Sequence, residues 1–322
     1  MNTGGSNGLV VILGTNASGK SDLGIRLAKH FGGEVVSADS RQVYRGLDLG
    51  TGKITPAQAA TVRHHLIDVA EVTEYYSLAQ YQQAAYRAID SIVQAGKLPF
   101  LVGGTGLYIS AIVEGYELVE VPPNAALRDE LEGLPLAQLV ERLQQSDPEA
   151  AGRVDQSNRR RLIRAIEIAA AGQAHSAARK SSPRYHCLQL GLTWPREVLE
   201  QRIEKRLQER LGLGMIDEVA GLRARGVSDT RLDKLGLEYR YITRFLRGEL
   251  GSLDDLRLQL RIAIRQFAKE QLTWFKRDKR IIWLDPFRDY FQEACDRIRG
   301  QFKPRSTRRS QWQAREAGPN SP

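Results

Sequence analysis

The run Gly14-Thr15-Asn16-Ala17-Ser18-Gly19-Lys20-Ser21 fits the spacing G-x-x-x-x-G-K-[ST]. Glycines at both ends let the backbone turn its N–H groups onto phosphate oxygens. The lysine reaches a terminal phosphate, and the hydroxyl after it can hold Mg²⁺. An apolar segment, Leu9-Val10-Val11-Ile12-Leu13, precedes the run, and a helical pattern with Leu23, Ile25, Leu27 and Ala28 follows from about Ser21. Strand, loop and helix are the context such a loop needs, and the helix adds its positive N-terminal end. The spacing predicts a bound phosphate compound, for which ATP or GTP is the usual identity.

An NTPase also needs an acid to hold metal and water. The segment Leu98 to Val102 ends instead in Gly103-Gly104-Thr105-Gly106, although Asp68, at the end of another apolar stretch, could serve. The acid nearest the loop in sequence is Asp39, in Ser37-Ala38-Asp39-Ser40-Arg41-Gln42-Val43-Tyr44. It follows the second strand and so belongs at the carboxyl edge of the sheet, where ligands bind in open α/β folds. Asp followed by Ser is equally good turn chemistry, and the residues alone leave both readings open. His64 and His65 are adjacent on a strand, point to opposite faces, and have no partner at metal-ligand spacing, so they read as structural.

These residues need a frame to position them. Short strands are expected at Glu34 to Ser37, His65 to Val69, Leu98 to Val102, Cys187 to Leu192 and Ile281 to Leu284. Helical patterns lie between them, through Tyr81, Ala85, Ile89 and Val93, from Pro195 through Leu199, Ile203, Leu207 and Leu211, and over Leu253 to Phe275. Alternation of this kind predicts a parallel sheet with helices on both faces. The rhythm breaks at Pro122-Pro123, after which only helical patterns appear until about Pro183. That is far too long for an ordinary connection. The expected organisation is a phosphate-loop core over 1–121, a helical insertion over 122–183, the second part of the core over 184–302, and a basic, disordered tail over 303–322.

With 322 residues, 42% of them apolar, the chain can bury a large core and a smaller second one. No apolar run is long enough for a membrane span, and no signal-peptide pattern opens the chain. A net charge of +9 favours a polyanionic partner. Cys187 and Cys295 form no metal or redox spacing and suit a reduced cytoplasm.

Taken in order, the motifs resemble the tRNA dimethylallyltransferase family, also called tRNA isopentenyltransferases, from about Val10 to Asp285. They are the loop Gly14 to Ser21, Asp39 to Tyr44, Asp48-Leu49-Gly50-Thr51, His64 to Asp68, Gly103 to Tyr108, Arg161-Leu162-Ile163-Arg164-Ala165 and Gln271 to Phe275. The resemblance implies a P-loop kinase-like core whose loop holds dimethylallyl diphosphate with Mg²⁺, and an acceptor adenine just 3′ of the anticodon, flipped into a channel. It implies Asp39 as acceptor of the N6 proton and Lys20 and Arg206 as stabilisers of the departing diphosphate, with Ser21 at the metal. It also places Asp39, Ser40, Arg41, Gln42, Thr105, Arg128, Arg160, Arg161, Leu162, Ile163, Arg164, Arg265, Lys269 and Gln271 at the tRNA. Arg202, Arg206 and Arg210 share one helix face, of which Arg206 alone matches the family's diphosphate arginine. Arg202 and Arg210 read as a solvated stripe alternating with Glu204 and Glu209, and Arg257 as ordinary surface.

The chain departs from the family pattern at several points. Thr15-Asn16 replaces the usual Pro-Thr, and Gly236-Leu237-Glu238-Tyr239 replaces the common Gly-Tyr-[Lys/Arg]-Glu. Arg210 stands where methionine is usual, and Glu270 where a basic residue is usual. Two cysteines cannot build the zinc finger that eukaryotic relatives often append, so the bacterial type is expected. The expected partners are the tRNA anticodon arm and dimethylallyl diphosphate, with no membrane and a cytoplasmic monomer. The rivals are a small-molecule kinase of the same core, a prenyltransferase acting on free AMP or ADP, and a nucleotide-dependent RNA-binding module.

Overall fold

The computed structural model describes residues 8–118, 120–173, 179–180 and 182–302. The basic tail over 303–322 and the first seven residues lie outside the described residues. Strand β1 (Gly8–Gly14) is buried at every position and pairs in parallel on both sides. It leads into α1 (Lys20–Phe31), after which come β2 (Glu34–Ser37), α2 (Pro56–Thr61), β3 (His64–His65), α3 (Leu78–Gln94), β4 (Pro99–Gly103) and α4 (Gly106–Val113). Next are β5 (Tyr116–Glu117), helices α5 (Ala125–Glu132), α6 (Leu136–Ser146), α7 (Pro148–Arg153) and α8 (Arg159–Ala170), and β6 (Arg179–Lys180). The chain then runs through β7 (His186–Leu192), α9 (Arg196–Gly212), α10 (Met215–Ala224), α11 (Asp229–Lys234), α12 (Leu237–Leu246), α13 (Leu253–Phe275), β8 (Ile282–Trp283) and α14 (Tyr290–Gln301). Among the described residues, no helix is long and apolar enough to cross a membrane.

The main sheet has the order β3-β2-β4-β1-β7-β8, all parallel. In register, Val10 lies between Phe100 and Leu188. Alternate residues serve opposite faces of a strand. Val10 and Ile12 join Leu23 and Leu27 of α1 and Ala294 and Ile298 of α14 in one core cluster. Leu9, Val11 and Leu13 are equally buried on the other face. The sheet is thus covered on both sides, as its continuous apolar strands require.

The strand expected over His65 to Val69 stops after two residues. Leu66 and Asp68 both take left-handed φ values, 63° and 57°, which no extended strand accommodates. The turn so made sends Asp68 to Lys53, whose buried ammonium bridges Asp48 and Asp68 at 2.6 Å each. His64 and His65 have the structural roles their spacing suggested. Nδ1 of His64 meets the Val62 carbonyl, and Nε2 of His65 meets buried Glu34 at 2.7 Å.

The chain divides into two compact units. Of the described residues, the first comprises 8–75, 87–109 and 185–302, and the second 76–86 and those between 110 and 184. The second therefore begins before the Pro122-Pro123 break and takes in part of α3. Among the described residues, its only strands are the antiparallel pair β5 and β6. Leu131, Leu139, Leu143, Leu162, Ile163 and Ile166 form its core. Asn124 and Asn158 cap α5 and α8 by accepting from the backbone N–H three residues on.

At the centre of this unit is Glu167, whose side chain is fully buried. Arg128 donates to it from two nitrogens at 2.7 and 2.8 Å, Asn124 donates its backbone N–H at 2.9 Å, and Arg164 stands at 3.4 Å. Burial would raise this carboxyl, but the hydrogen bonds from Arg128 and Asn124 outweigh it and hold the group below the usual carboxylate range. Replacing Glu167 by alanine should destabilise the unit by roughly 3–5 kcal/mol, because two arginines lose their buried partner. The carboxylate's contribution is present above its ordinary pKa and is lost as pH falls through the lowered value. Thermal unfolding of the parent and the variant between pH 7 and pH 3 checks both points: the gap between them should close on the acid side.

Candidate active site

At the C-terminal edge of β1 the chain must turn sharply and keep its N–H groups available. Ala17 and Gly19 take φ values of 59° and 96° to do so, and Gly19 caps α1. Gly14 admits no side chain: a Cβ there would lie 2.1 Å from the Leu192 carbonyl oxygen. Lys20 Nζ donates to the Thr15 carbonyl at 3.2 Å, curling back over the loop. Burial, and next the neighbouring Arg206, lower its pKa to about 8. Asn16, at the family's threonine position, accepts from Ala17 N at 2.9 Å and from Arg206 Nη1 at 3.3 Å. Thr15 shares a hydrogen bond with Thr193 at 3.3 Å.

The expected second cluster forms beside this loop. Asp39 Oδ1 accepts from the backbone N–H groups of Arg41 at 2.9 Å and Gln42 at 3.4 Å. Asp39 thus makes the turn and also stands in the electrostatic field of Lys20 and Arg206, so the two readings of this residue are compatible. Thr105 accepts from Ser40 N at 3.0 Å and reaches the Ser40 hydroxyl at 3.4 Å, fixing that turn to the start of α4. Gln42 accepts from Ser37 Oγ and donates to the Gly52 carbonyl. Burial lowers the pKa of the Arg41 guanidinium.

The arginine stripe on α9 is where the structure corrects the sequence. Arg202 and Arg210 are not a solvated face. Arg202 Nε donates to the Ala17 carbonyl at 2.8 Å, and its guanidinium lies 4.7 Å from the Trp194 ring centroid. Trp194 in turn donates to the Ser18 carbonyl at 2.8 Å. Arg210 is only 9% exposed, pairs with Glu238 at 3.5 Å and reaches the Gly50 carbonyl at 3.5 Å. Arg206 lies between them, and its pKa is lowered to about 10, first by burial and then by Arg210. Helix periodicity tells which residues share a face, not whether that face meets water.

A second feature had no sequence signal of its own. Glu218, on α10, accepts three consecutive backbone N–H groups, Asp48 at 3.1 Å, Leu49 at 2.6 Å and Gly50 at 3.1 Å, as well as the Tyr239 hydroxyl at 2.6 Å. It anchors the motif Asp48 to Thr51, whose following residue, Gly52, presents its carbonyl to Arg206 at 3.5 Å. Burial and Glu218 together raise the pKa of the Tyr239 hydroxyl, which keeps it a donor.

The residues expected at RNA separate into three groups. Arg160 and Arg161 are exposed on α8, and Arg265 and Lys269 are exposed on α13. Leu162 and Ile163 are 0% and 4% exposed, so their side chains serve the core of the second unit. Arg128 and Arg164 are committed to Glu167, and Arg164 also donates to the Val121 carbonyl at 2.9 Å. Gln271 parts from Arg265 and Lys269 as well. It is 8% exposed, accepts from Asn16 N at 2.7 Å and donates to the Gly104 carbonyl at 2.9 Å. It ties the phosphate loop to the Gly-rich end of β4.

Replacing Glu218 by alanine should release the three amides it binds. Hydrogen exchange at Asp48, Leu49 and Gly50 should then accelerate roughly ten- to hundredfold, the range expected for losing a bond to a charged acceptor. Unchanged protection there would remove Glu218 as the anchor of this segment.

Residues 42–278 match the family described as IPP transferase. The tRNA dimethylallyltransferase 2 of Shewanella sediminis is 43% identical over 292 residues, covering 89% of this chain and 96% of that protein. The protein of the same name from Syntrophotalea carbinolica is 46% identical over 288 residues, or 88% and 96%. The crystal structure of the full-length tRNA isopentenylpyrophosphate transferase from Bacillus halodurans is 34% identical, with a TM-score of 0.69 over 97% of this chain and all of that one. With similarity of this extent, and with the motifs gathered as described, the chain belongs to the tRNA dimethylallyltransferase family.

Proposed function

We propose that this chain transfers the dimethylallyl group from dimethylallyl diphosphate to N6 of the adenine adjoining the anticodon on its 3′ side in tRNA. The observation that carries this reading is the company Lys20 keeps. One carboxylate, Asp39, and two guanidiniums, Arg206 and Arg210, act on it. Asp68, the acid an NTPase would recruit, is instead held by Lys53 at 2.6 Å. Cations around a phosphate loop suit departure of diphosphate, and a lone carboxylate suits removal of one proton.

The adenine amine is a poor nucleophile because its lone pair is delocalised into the ring. Asp39 is fixed through Oδ1, and Oδ2 can orient the N6–H and take its proton while the N6–C bond forms. The bond from the allylic carbon to oxygen breaks, its electron pair leaves with diphosphate, and the allylic system carries the transient positive charge. Lys20, the loop N–H groups and Arg206 meet the charge that grows on the leaving oxygens. Ser21 is half-buried in the first turn of α1 and offers a hydroxyl oxygen. That donor fits Mg²⁺, which takes few protein ligands and fills its shell with water and substrate phosphates. Ser21 would hold the ion, which would supply further charge to the departing diphosphate. The protein is proposed to work as a monomer in the cytoplasm.

Replacing Asp39 by asparagine should leave folding and diphosphate binding near those of the parent and slow the chemical step roughly 10²–10⁴-fold. Single-turnover transfer of a radiolabelled prenyl group to tRNA, with Mg²⁺ and with or without ATP, measures this. Normal transfer by the variant removes Asp39 from the chemistry. Turnover that requires ATP, or phosphoryl transfer without prenyl diphosphate, revives the kinase.

The exposed arginines of α8 give a separate expectation. Changing Arg160 and Arg161 together to alanine should weaken tRNA binding and flatten its dependence on salt by about two units of slope at most, while affinity for prenyl diphosphate stays as it was. Arg164 is left in place because it supports Glu167. Titrations at several salt concentrations with the parent's slope would exclude α8 as an RNA contact.

A further inference from the structure

Two departures from the family pattern, far apart in sequence, meet in space. Arginine stands at 210 where methionine is usual, and an acid stands at 238 where a base is usual. The side chains of Arg210 and Glu238 form an ion pair at 3.5 Å, 11% and 12% exposed. Exchanging one cation for an acid, and an apolar residue for a cation, lowers the summed charge of the two positions and moves the cation to α9. The guanidinium on α9 stands beside Arg206, which is the first sign that it serves the substrate.

The second sign is geometric. A Cβ placed on Gly52 would lie 1.6 Å from Arg210 Nη2 and 2.3 Å from Arg206 Nη2, so the two guanidinium tips stand side by side over this glycine. Arg206 also reaches Asn16 in the phosphate loop. Like charges so close repel, and the three carboxylates that act on this group, Glu238, Asp39 and Glu218, do not balance Lys20, Arg202, Arg206 and Arg210. A ligand with negative charge spread over several oxygens would relieve the excess. Guanidinium forks match phosphate oxygens in shape as well as charge.

We propose that Arg206 and Arg210 form a guanidinium pair that grips the diphosphate, with Glu238 as the counter-charge that holds Arg210 in place. This rests on the prenyl-transfer reading above and adds a substrate-binding residue to it. Glu238 is a positioning residue. It balances one of the two cations through Nη1 of Arg210, the nitrogen that also meets the Gly50 carbonyl, while Nη2 stands beside Gly52 and Arg206. Burial pushes its carboxyl up and Arg210 opposes that, so each needs the other.

The test compares the parent, Arg210→Met, and the double variant Arg210→Met with Glu238→Gln. The single change strands a buried acid and can unfold the protein, whereas the double change removes both charges at once. In the double variant the thermal midpoint should stay near the parent's. The KM for dimethylallyl diphosphate and the inhibition constant of inorganic diphosphate should both rise roughly ten- to hundredfold, as expected for one lost charge-assisted contact. The KM for tRNA should not move. If the double variant keeps the parent's inhibition constant, the pair is only structural and the proposal fails. A rise in the tRNA KM alone overturns it in favour of an RNA contact. A parent that transfers no prenyl group to tRNA would sink the prenyl-transfer reading itself, and calorimetry with inorganic diphosphate would still report on the arginine pair.

Discussion

Several cations must be held close together at the edge of this sheet with too few acids to neutralise them all. At about 4 Å and an effective dielectric near 20, two like charges repel by about 4 kcal/mol. The protein meets this with backbone oxygens. Lys20 donates to the Thr15 carbonyl, Arg202 to Ala17, Arg206 to Gly52 and Arg210 to Gly50. A carbonyl dipole fixes a cation's direction but leaves its net charge intact, and that net charge is what an anionic ligand can use. Acids are sparing here, and each has an assigned place: Glu238 against Arg210, Asp39 at the turn after β2.

This solution makes demands on the rest of the fold. Carbonyls can serve as anchors only if the loops bearing them are themselves fixed, and only if no side chain blocks the approach. Glu218 fixes the loop at 48–50 through its N–H groups, which turns the opposite edge of that loop toward the arginines. Gly52 permits the approach, since any Cβ there would overlap both guanidiniums, and its φ of +59° is one that glycine adopts freely. Gly104 does the same for Lys20, whose Nζ would lie 3.3 Å from a Cβ. Gln271 then ties Gly104 to Asn16, so the two glycine-rich segments are joined through one side chain.

Much of this frame is legible in the sequence because it depends on local rules. An apolar run followed by G-x-x-x-x-G-K-S specifies strand, loop and helix, and β1 and α1 lie where those residues place them. What escaped depends on non-local contact. The stripe Arg202, Arg206, Arg210 has the same spacing whether it faces water or a phosphate loop. Glu218 resembles any helical glutamate until the loop at 48–50 is folded against it. Arg128 and Arg164, suited by type to RNA, are claimed by Glu167 because that carboxylate is buried and must be paired. The expected strand over 65–69 failed for a local reason that composition hides, two non-glycine residues in left-handed backbone.

The contrast between the two groups of arginines bears on how such a chain divides its basic residues. A surplus of +9 suggests polyanion binding, yet it does not say which cations do it. Arginines that meet a fully buried carboxylate, as Arg128 and Arg164 both meet Glu167, share its one negative charge and support the scaffold. Those that meet carbonyls at the sheet edge keep their charge and are desolvated, which makes them specific for a ligand that can enter a confined place. Those in water, such as Arg160 and Lys269, keep both charge and hydration and act over a distance limited by salt. Burial and partner chemistry, more than residue type, therefore decide which task each arginine can perform, and the small diphosphate and the large RNA can be served by the same amino acid in different surroundings.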